Sequence, residues 1–262
     1  VLVEVIRQGV RMKMSVLASA PSNIAVDNIL EKLLNHKVRA VRLGHPARIS
    51  ETLRYATLDA LIADDPKQEE IHRLHRERER MIKRKGHWSE VGKIWKEIRS
   101  AERAIFKAVL DSAQVVLSTH AGLSKKLLRQ NFDLVIMDEA SQATEPLSWI
   151  PLTKTKKVIF AGDTCQLPPT IYSDQAAKEG LGVTLLDRLQ KILPKGLQTH
   201  LRIQYRMNET IMGFSSEQLY EGRLIADQSI KSHLLSDLTG VESTELTTQP
   251  QMDVDPAGAG FE

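Results

Sequence analysis

Three constellations in this 262-residue chain have the residue types and spacing for phosphoryl chemistry. Asp138-Glu139-Ala140-Ser141 follows a short apolar run. A carboxylate there can bind Mg²⁺, directly or through water, while the metal bridges nucleotide phosphates. The adjacent Glu can orient and polarise an attacking water. Taken alone, such a pair also suits a helix N-terminus, where the dipole favours negative charge. Gly162-Asp163-Thr164-Cys165-Gln166-Leu167-Pro168-Pro169 follows the next apolar run. Its glycine permits a tight exit and its prolines fix an extended segment that aims Gln166 back at the sheet edge. An amide can donate to a phosphate oxygen and accept from water, which makes Gln166 a candidate γ-phosphate sensor. A plain Gly/Pro turn accounts for Gly-Asp but poorly for the whole octapeptide. Cys165 is expected to be a small buried filler. The third constellation is Gln204-Tyr205-Arg206-Met207. Arg206 has the chemistry of an arginine finger and Tyr205 that of a base-stacking ring. A snorkelling arginine beside a core ring is the bland alternative.

Something must hold these groups at one edge. Ser15–Ser19, Gln114–Ser118, Leu134–Met137 and Lys157–Ala161 are short and continuously apolar, as strands buried on both faces of a parallel sheet are. Open α/β sheets carry their ligands beyond the carboxyl ends of the strands. The first two constellations lie there. Between the first two runs the pattern predicts a long helical insertion, Ile49 to Leu110. Ile71, Leu74, Met81 and Ile82 sit amid dense charge, Gly86 marks a turn, and Val91, Ile94, Trp95, Ile98 and Ile105 form a helical stripe. Two helices joined at Gly86 are expected to pack as an antiparallel hairpin, stripe inward and Lys/Arg outward. A further strand is expected at Thr199-His200-Leu201. The tail from Ser243, with Pro250, Pro256, Gly258 and Gly260, reads as loop.

Charge is unevenly spread. Residues 66–107 hold 13 Lys/Arg against 7 Asp/Glu, a net of +6, whereas the whole chain carries +3, which leaves −3 elsewhere. Such concentration suits a nucleic-acid footprint or a solvated helical face. No run of eighteen apolar residues occurs, so no transmembrane helix is expected. The single cysteine fits a reducing compartment, cytoplasm or nucleus. The opening Val1–Gln8 reads as mid-helix without a capping residue, so upstream sequence is expected.

Those three constellations in this order, with Ser19-Ala20-Pro21-Ser22-Asn23-Ile24-Ala25-Val26-Asp27 and Arg42-Leu43-Gly44-His45-Pro46-Ala47-Arg48 upstream, resemble the superfamily 1 helicases of the up-frameshift type. The resemblance runs along nearly the whole chain, and its most specific part is Asp138–Ala143 with Gly162–Pro169. It implies an α/β fold: a RecA-like P-loop NTPase parallel sheet flanked by helices, with a helical-hairpin insertion. The implied division is 1–48 and 111–198 for the first RecA-like domain, 49–110 for the insertion, and 199–262 for the start of a second RecA-like domain.

The resemblance also implies roles. Asp138 and Glu139 match the pair for metal binding and water activation, with ATP and Mg²⁺ as cofactors. Gln166 matches the γ-phosphate contact, Arg206 the arginine finger and Tyr205 the residue beside the adenine. Ser19, Pro21, Ser22 and Asn23 match a motif that contacts the backbone of single-stranded nucleic acid, and Ser118, Thr119 and His120 sit where the family has another strand-contacting loop. One departure is plain: no Gly-x-x-x-x-Gly-Lys-[Ser/Thr] occurs in the chain. In the family that loop immediately precedes the helix with which this chain begins, so truncation is expected, and with it an inactive isolated fragment. The leading reading is an ATP-dependent helicase or translocase, 5′-to-3′ by resemblance, on single-stranded RNA or DNA. A non-catalytic module that binds nucleic acid or protein remains the second. A basic hairpin that docks protein partners is the third.

Overall fold

The computed structural model describes residues 1–83, 88–123 and 130–251 and divides into two compact units, Val1–Ile192 and Leu193–Glu262. The expected turn at Gly86, the basic residues Arg84 and Lys85, and the tail prolines and glycines beyond residue 251 lie outside the described residues.

The first unit is built on a five-stranded, all-parallel sheet. Its strands are β1 (Val16–Ala20), β2 (Ala40–Arg42), β3 (Val115–Thr119), β4 (Leu134–Met137) and β5 (Val158–Phe160), in the spatial order β2-β3-β1-β4-β5. The continuous apolar runs have a direct cause. Alternate residues of one strand feed two separate cores, because successive side chains point to opposite faces. Val16, Ala18, Val115, Leu117, Leu134 and Ile136 pack beneath α1 (Leu2–Arg11) and α2 (Asn23–Asn35). Leu17, Val116, Val135 and Met137 face the other side, with Leu58 of α3 (Leu58–Ala63) and Leu110 of α5 (Trp88–Ser112). Gly9 of α1 lets that helix lie close, since a Cβ there would stand 3.3 Å from Val16 Cγ2.

Two strands depart from expectation. β2 is absent from the sequence reading, because a three-residue run that ends in Arg does not look like a strand interior. β5 is an edge strand: α1 and α2 lie over β1, β3 and β4, and Ile159 is left 38% exposed.

The insertion forms as the periodicity predicts. α4 (Gln68–Lys83) packs along α5 through Ile71, Ile94, Ile98 and Ile105. Trp95 does not join this core. It is 40% exposed, and its ring lies under the Arg78 guanidinium (4.8 Å) with Arg99 at 5.9 Å. At that distance the arginines gain a cation–π contact, so the indole sits at the rim of the stripe. Arg73, Arg76, Arg80 and Lys83 are exposed on α4.

After β4 the first unit continues with α6 (Glu145–Leu152), the single turn α7 (Asp174–Ala176) and α8 (Leu185–Ile192). The second unit carries a parallel pair, β6 (Ile203–Gln204) and β7 (Ile225–Ala226), around α9 (Glu209–Leu219). The strand expected at Thr199–Leu201 is therefore displaced to Ile203–Gln204. Thr199–Leu201 makes no ladder, and the pairing falls where Ile225 N and Asp227 N donate to the carbonyls of Arg202 and Gln204. Among the described residues no helix is long and apolar enough to cross a membrane.

Candidate nucleotide and strand-binding site

The chain passes from β1 to β2 and β3 on one side of the sheet, then returns across β1 to β4 and β5. That reversal makes β1 and β4 a topological switch point, where open α/β sheets hold their ligands. Asp138 comes directly off β4, and its N–H donates to Ser19 O at 2.8 Å. Glu139 follows with φ 50° and ψ 40°. The left-handed region costs a non-glycine residue about 1–2 kcal/mol, and such strain collects at functional sites. Glu139 N–H donates to Asp138 Oδ1 at 3.0 Å, and Gln142 Nε2 donates to Glu139 Oε2 at 2.9 Å.

Gly162 explains how the two turns meet. A Cβ at this position would stand 2.9 Å from Ser141 N and 3.0 Å from Ala140 N, so only glycine lets the β5 exit lie against the β4 exit. Asp163 N–H then donates to Ser141 Oγ at 3.2 Å. The Asp163 carboxylate gathers its own loop: Cys165 N–H donates to one oxygen (3.0 Å) and Gln166 Nε2 to the other (2.7 Å). Gln166 is exposed at the tip of this loop. Cys165 is exposed too, contrary to the buried filler expected, because the whole segment from Cys165 to Pro168 lies at the surface.

Three carboxylates thus share one sheet edge. Burial raises the Asp138 pKa above its ordinary value, only partly offset by the Glu139 amide and Lys32. Burial also raises that of Glu139, and the charges of Asp138 and Asp163 push it further. A carboxylate made more basic this way suits proton acceptance near neutral pH. Among the described residues no three His, Cys, Asp or Glu side chains converge as a metal site. Asp138 fits the alternative that Mg²⁺ favours, one or two protein carboxylates with water and phosphate oxygens completing the shell. Only Oδ1 of its carboxylate has a hydrogen-bond partner among the described residues.

The strand-contact candidates separate into two groups. Pro21, Ser22, Asn23 and Thr119 reach the surface at the carboxyl ends of β1 and β3. Ser22 caps α2, its Oγ accepting from Ala25 N–H at 3.2 Å. Ser19, Ser118 and His120 are fully buried. Ser19 and Ser118 share strand parity with Leu17 and Val116, so alternation turns them into the core beneath α3 and α5. Ser19 Oγ and His120 Nδ1 share a 2.6 Å hydrogen bond, while Ser118 Oγ and His120 Nε2 have no partner among the described residues. Ser19 thus holds Asp138 with its carbonyl and His120 with its hydroxyl, a link that motif matching alone does not reveal. Strand alternation was the signal available for it.

Burial depresses the His120 pKa to about 4. Burial in the fold disfavours the charged ring, so protonation favours the unfolded chain. Stability is fully present above the unfolded value near 6.5 and is lost as pH falls towards about 4. Over that window the loss should reach about 3 kcal/mol. Urea unfolding at both ends of the window should show it, and His120→Gln should remove most of it. An identical acid loss in the variant would mean that other groups are responsible.

In the second unit Gln204 builds the turn that displays Tyr205 and Arg206. Gln204 Oε1 accepts from Arg206 N–H (2.8 Å) and Met207 N–H (2.9 Å), and its Nε2 donates to Met207 O (2.7 Å). Arg206 is exposed and makes no ion pair among the described residues. Tyr205 is exposed as well. Asp227 is held below the ordinary carboxylate range by the Ser229 hydroxyl and amide, and further by the Tyr205 side chain.

A five-stranded parallel sheet with an acidic pair beyond β4 is the architecture of an AAA-type domain. A family profile described as an AAA domain matches residues 1–174, and a second of the same description matches 181–257. The chain belongs to this AAA-domain family, in agreement with the superfamily 1 resemblance of its motifs. Among its relatives is the DNA-binding protein SMUBP-2 of Mus musculus, 40% identical over 99% of this chain and 28% of the relative. The DNA polymerase alpha-associated DNA helicase A of Schizosaccharomyces pombe is 35% identical over 98% of the chain and 40% of the relative. An uncharacterized ATP-dependent helicase of Methanocaldococcus jannaschii is 33% identical over 93% and 43%. The chain therefore spans less than half the length of these curated relatives.

Proposed function

We propose that the whole protein is an ATP-dependent helicase or translocase on single-stranded RNA or DNA, and that this chain supplies its hydrolytic carboxylates and part of its strand surface. The observation that carries this reading is the acidic edge: Asp138 and Glu139 off β4, with the Asp163 loop that carries Gln166 brought up to Ala140 and Ser141 by Gly162. Glu139 is the general base that takes a proton from the attacking water, its basicity raised by burial and two neighbouring carboxylates. Asp138 is the carboxylate that holds Mg²⁺, which when bound neutralises charge on the phosphate oxygens. Gln166, tethered by Asp163, offers its remaining amide capacity to the γ-phosphate. Arg206 offers a guanidinium with no ion-pair partner among the described residues, suited to the charge of a phosphoryl transition state. Tyr205, exposed on the same turn, stands beside the adenine. Pro21, Ser22, Asn23 and Thr119 form the strand-facing surface, while Ser19, Ser118 and His120 support it from below. Names such as helicase and ATP-dependent helicase among the relatives support the same reading.

The test is strand displacement by the whole protein. With ATP and Mg²⁺ it should release a labelled strand from a partial duplex with a 5′ single-stranded tail, and not from one with a 3′ tail. Release without ATP, or from the 3′-tailed substrate alone, would contradict the proposal.

A further inference from the structure

Arg42 ends β2 and is only 1% exposed, so it touches no ligand itself. Its guanidinium is nonetheless fully directed. Nε donates to Asp27 Oδ1 at 3.0 Å, one terminal nitrogen donates to Asn23 Oδ1 at 2.9 Å, and the other donates to the Leu43 carbonyl. Asp27 is held in turn, its Oδ2 accepting from Ser50 N–H at 3.1 Å. Gly44, at φ 138°, closes over the group, and a Cβ there would stand 3.3 Å from the guanidinium.

The consequence falls on Asn23, the first residue of α2, beyond the carboxyl end of β1. A guanidinium has only donors, so only the oxygen of the Asn23 amide can face it. The NH₂ group must then point the other way. It has no hydrogen-bond partner among the described residues and is not fully buried.

We infer that Arg42 is a positioning residue for strand binding: by holding Asn23 Oδ1 it fixes the amide NH₂ outward, as a donor to the acceptor-only oxygens of a phosphodiester backbone. This rests on the proposed function, since it assumes that a single strand crosses the end of β1. A contact of this kind adds affinity without sequence preference.

Fluorescence anisotropy of labelled oligo(dT) and oligo(dA) on the whole protein tests it. Asn23→Asp keeps an oxygen for Arg42 and places a carboxylate in the first turn of α2, which the helix dipole favours. Its melting temperature should hold or rise. Its affinity for both oligonucleotides should nevertheless fall about tenfold or more, as a donor to a charged oxygen is lost and a like charge is gained. Arg42→Lys, which cannot fork to Asn23 and Asp27 together, should weaken binding in the wild-type background but not in Asn23→Ala. Wild-type affinity in Asn23→Asp would overturn the inference. So would an equal loss from Arg42→Lys in both backgrounds, which would mark Arg42 as structural only, or a loss confined to one oligonucleotide, which would mean base readout. A wild-type protein that binds neither oligonucleotide would instead overturn the proposed function on which the inference stands.

Discussion

Arg206→Ala is expected to lower ATP turnover by the whole protein about 10³-fold or more, the scale on which arginine fingers act. Three local features motivate this. The side chain is exposed, it has no ion-pair partner among the described residues, and its backbone is clamped by Gln204. A guanidinium engaged by a protein carboxylate would first have to be released, whereas this one is not. Arg206→Lys should recover little, because a compact ammonium does not reproduce a planar fork. Steady-state hydrolysis at saturating nucleic acid measures the effect. A rate within a few-fold of wild type would remove Arg206 from the reaction.

Glu139→Gln is expected to lower turnover by at least about 10²-fold while ATP binding survives. It should also leave the fold intact or more stable. In the native protein the charged Glu139 is disfavoured by burial and by Asp138 and Asp163, so a neutral amide relieves repulsion. Gln can still accept the hydrogen bond that Gln142 donates. A rise in melting temperature together with loss of hydrolysis would separate a functional carboxylate from a structural one. A normal rate would show that the base lies elsewhere.

Much of this was legible in the residues. β1, β3 and β4 appear as apolar runs because both faces of the sheet are covered there, β5 keeps such a run at a partly exposed edge, and the α5 stripe appears because Ile94, Ile98 and Ile105 face α4. The site could be placed because Asp138 and Gly162 stand just after those runs. What was not legible depends on three-dimensional pairing. β2 stays hidden because Arg42 reads as polar, although its charge is met inside the fold by Asp27, Asn23 and a carbonyl. Ser19, Ser118 and His120 match strand-contact motifs by position, yet strand parity turns the two serines inward and the histidine follows one of them. Trp95 falls on the apolar stripe by spacing but has arginines across its ring. Periodicity tells which side of a helix a residue occupies, not which neighbour competes for it.

In the proposed function the acidic edge of this sheet hydrolyses ATP under the control of a bound single strand. The measurement closest to it is ATP hydrolysis by the whole protein with Mg²⁺, with and without saturating oligo(dT) or oligo(U). The rate should rise on adding a single strand, and the rise should be lost in Glu139→Gln. Hydrolysis indifferent to both oligonucleotides, or stimulated equally in wild type and Glu139→Gln, would contradict it.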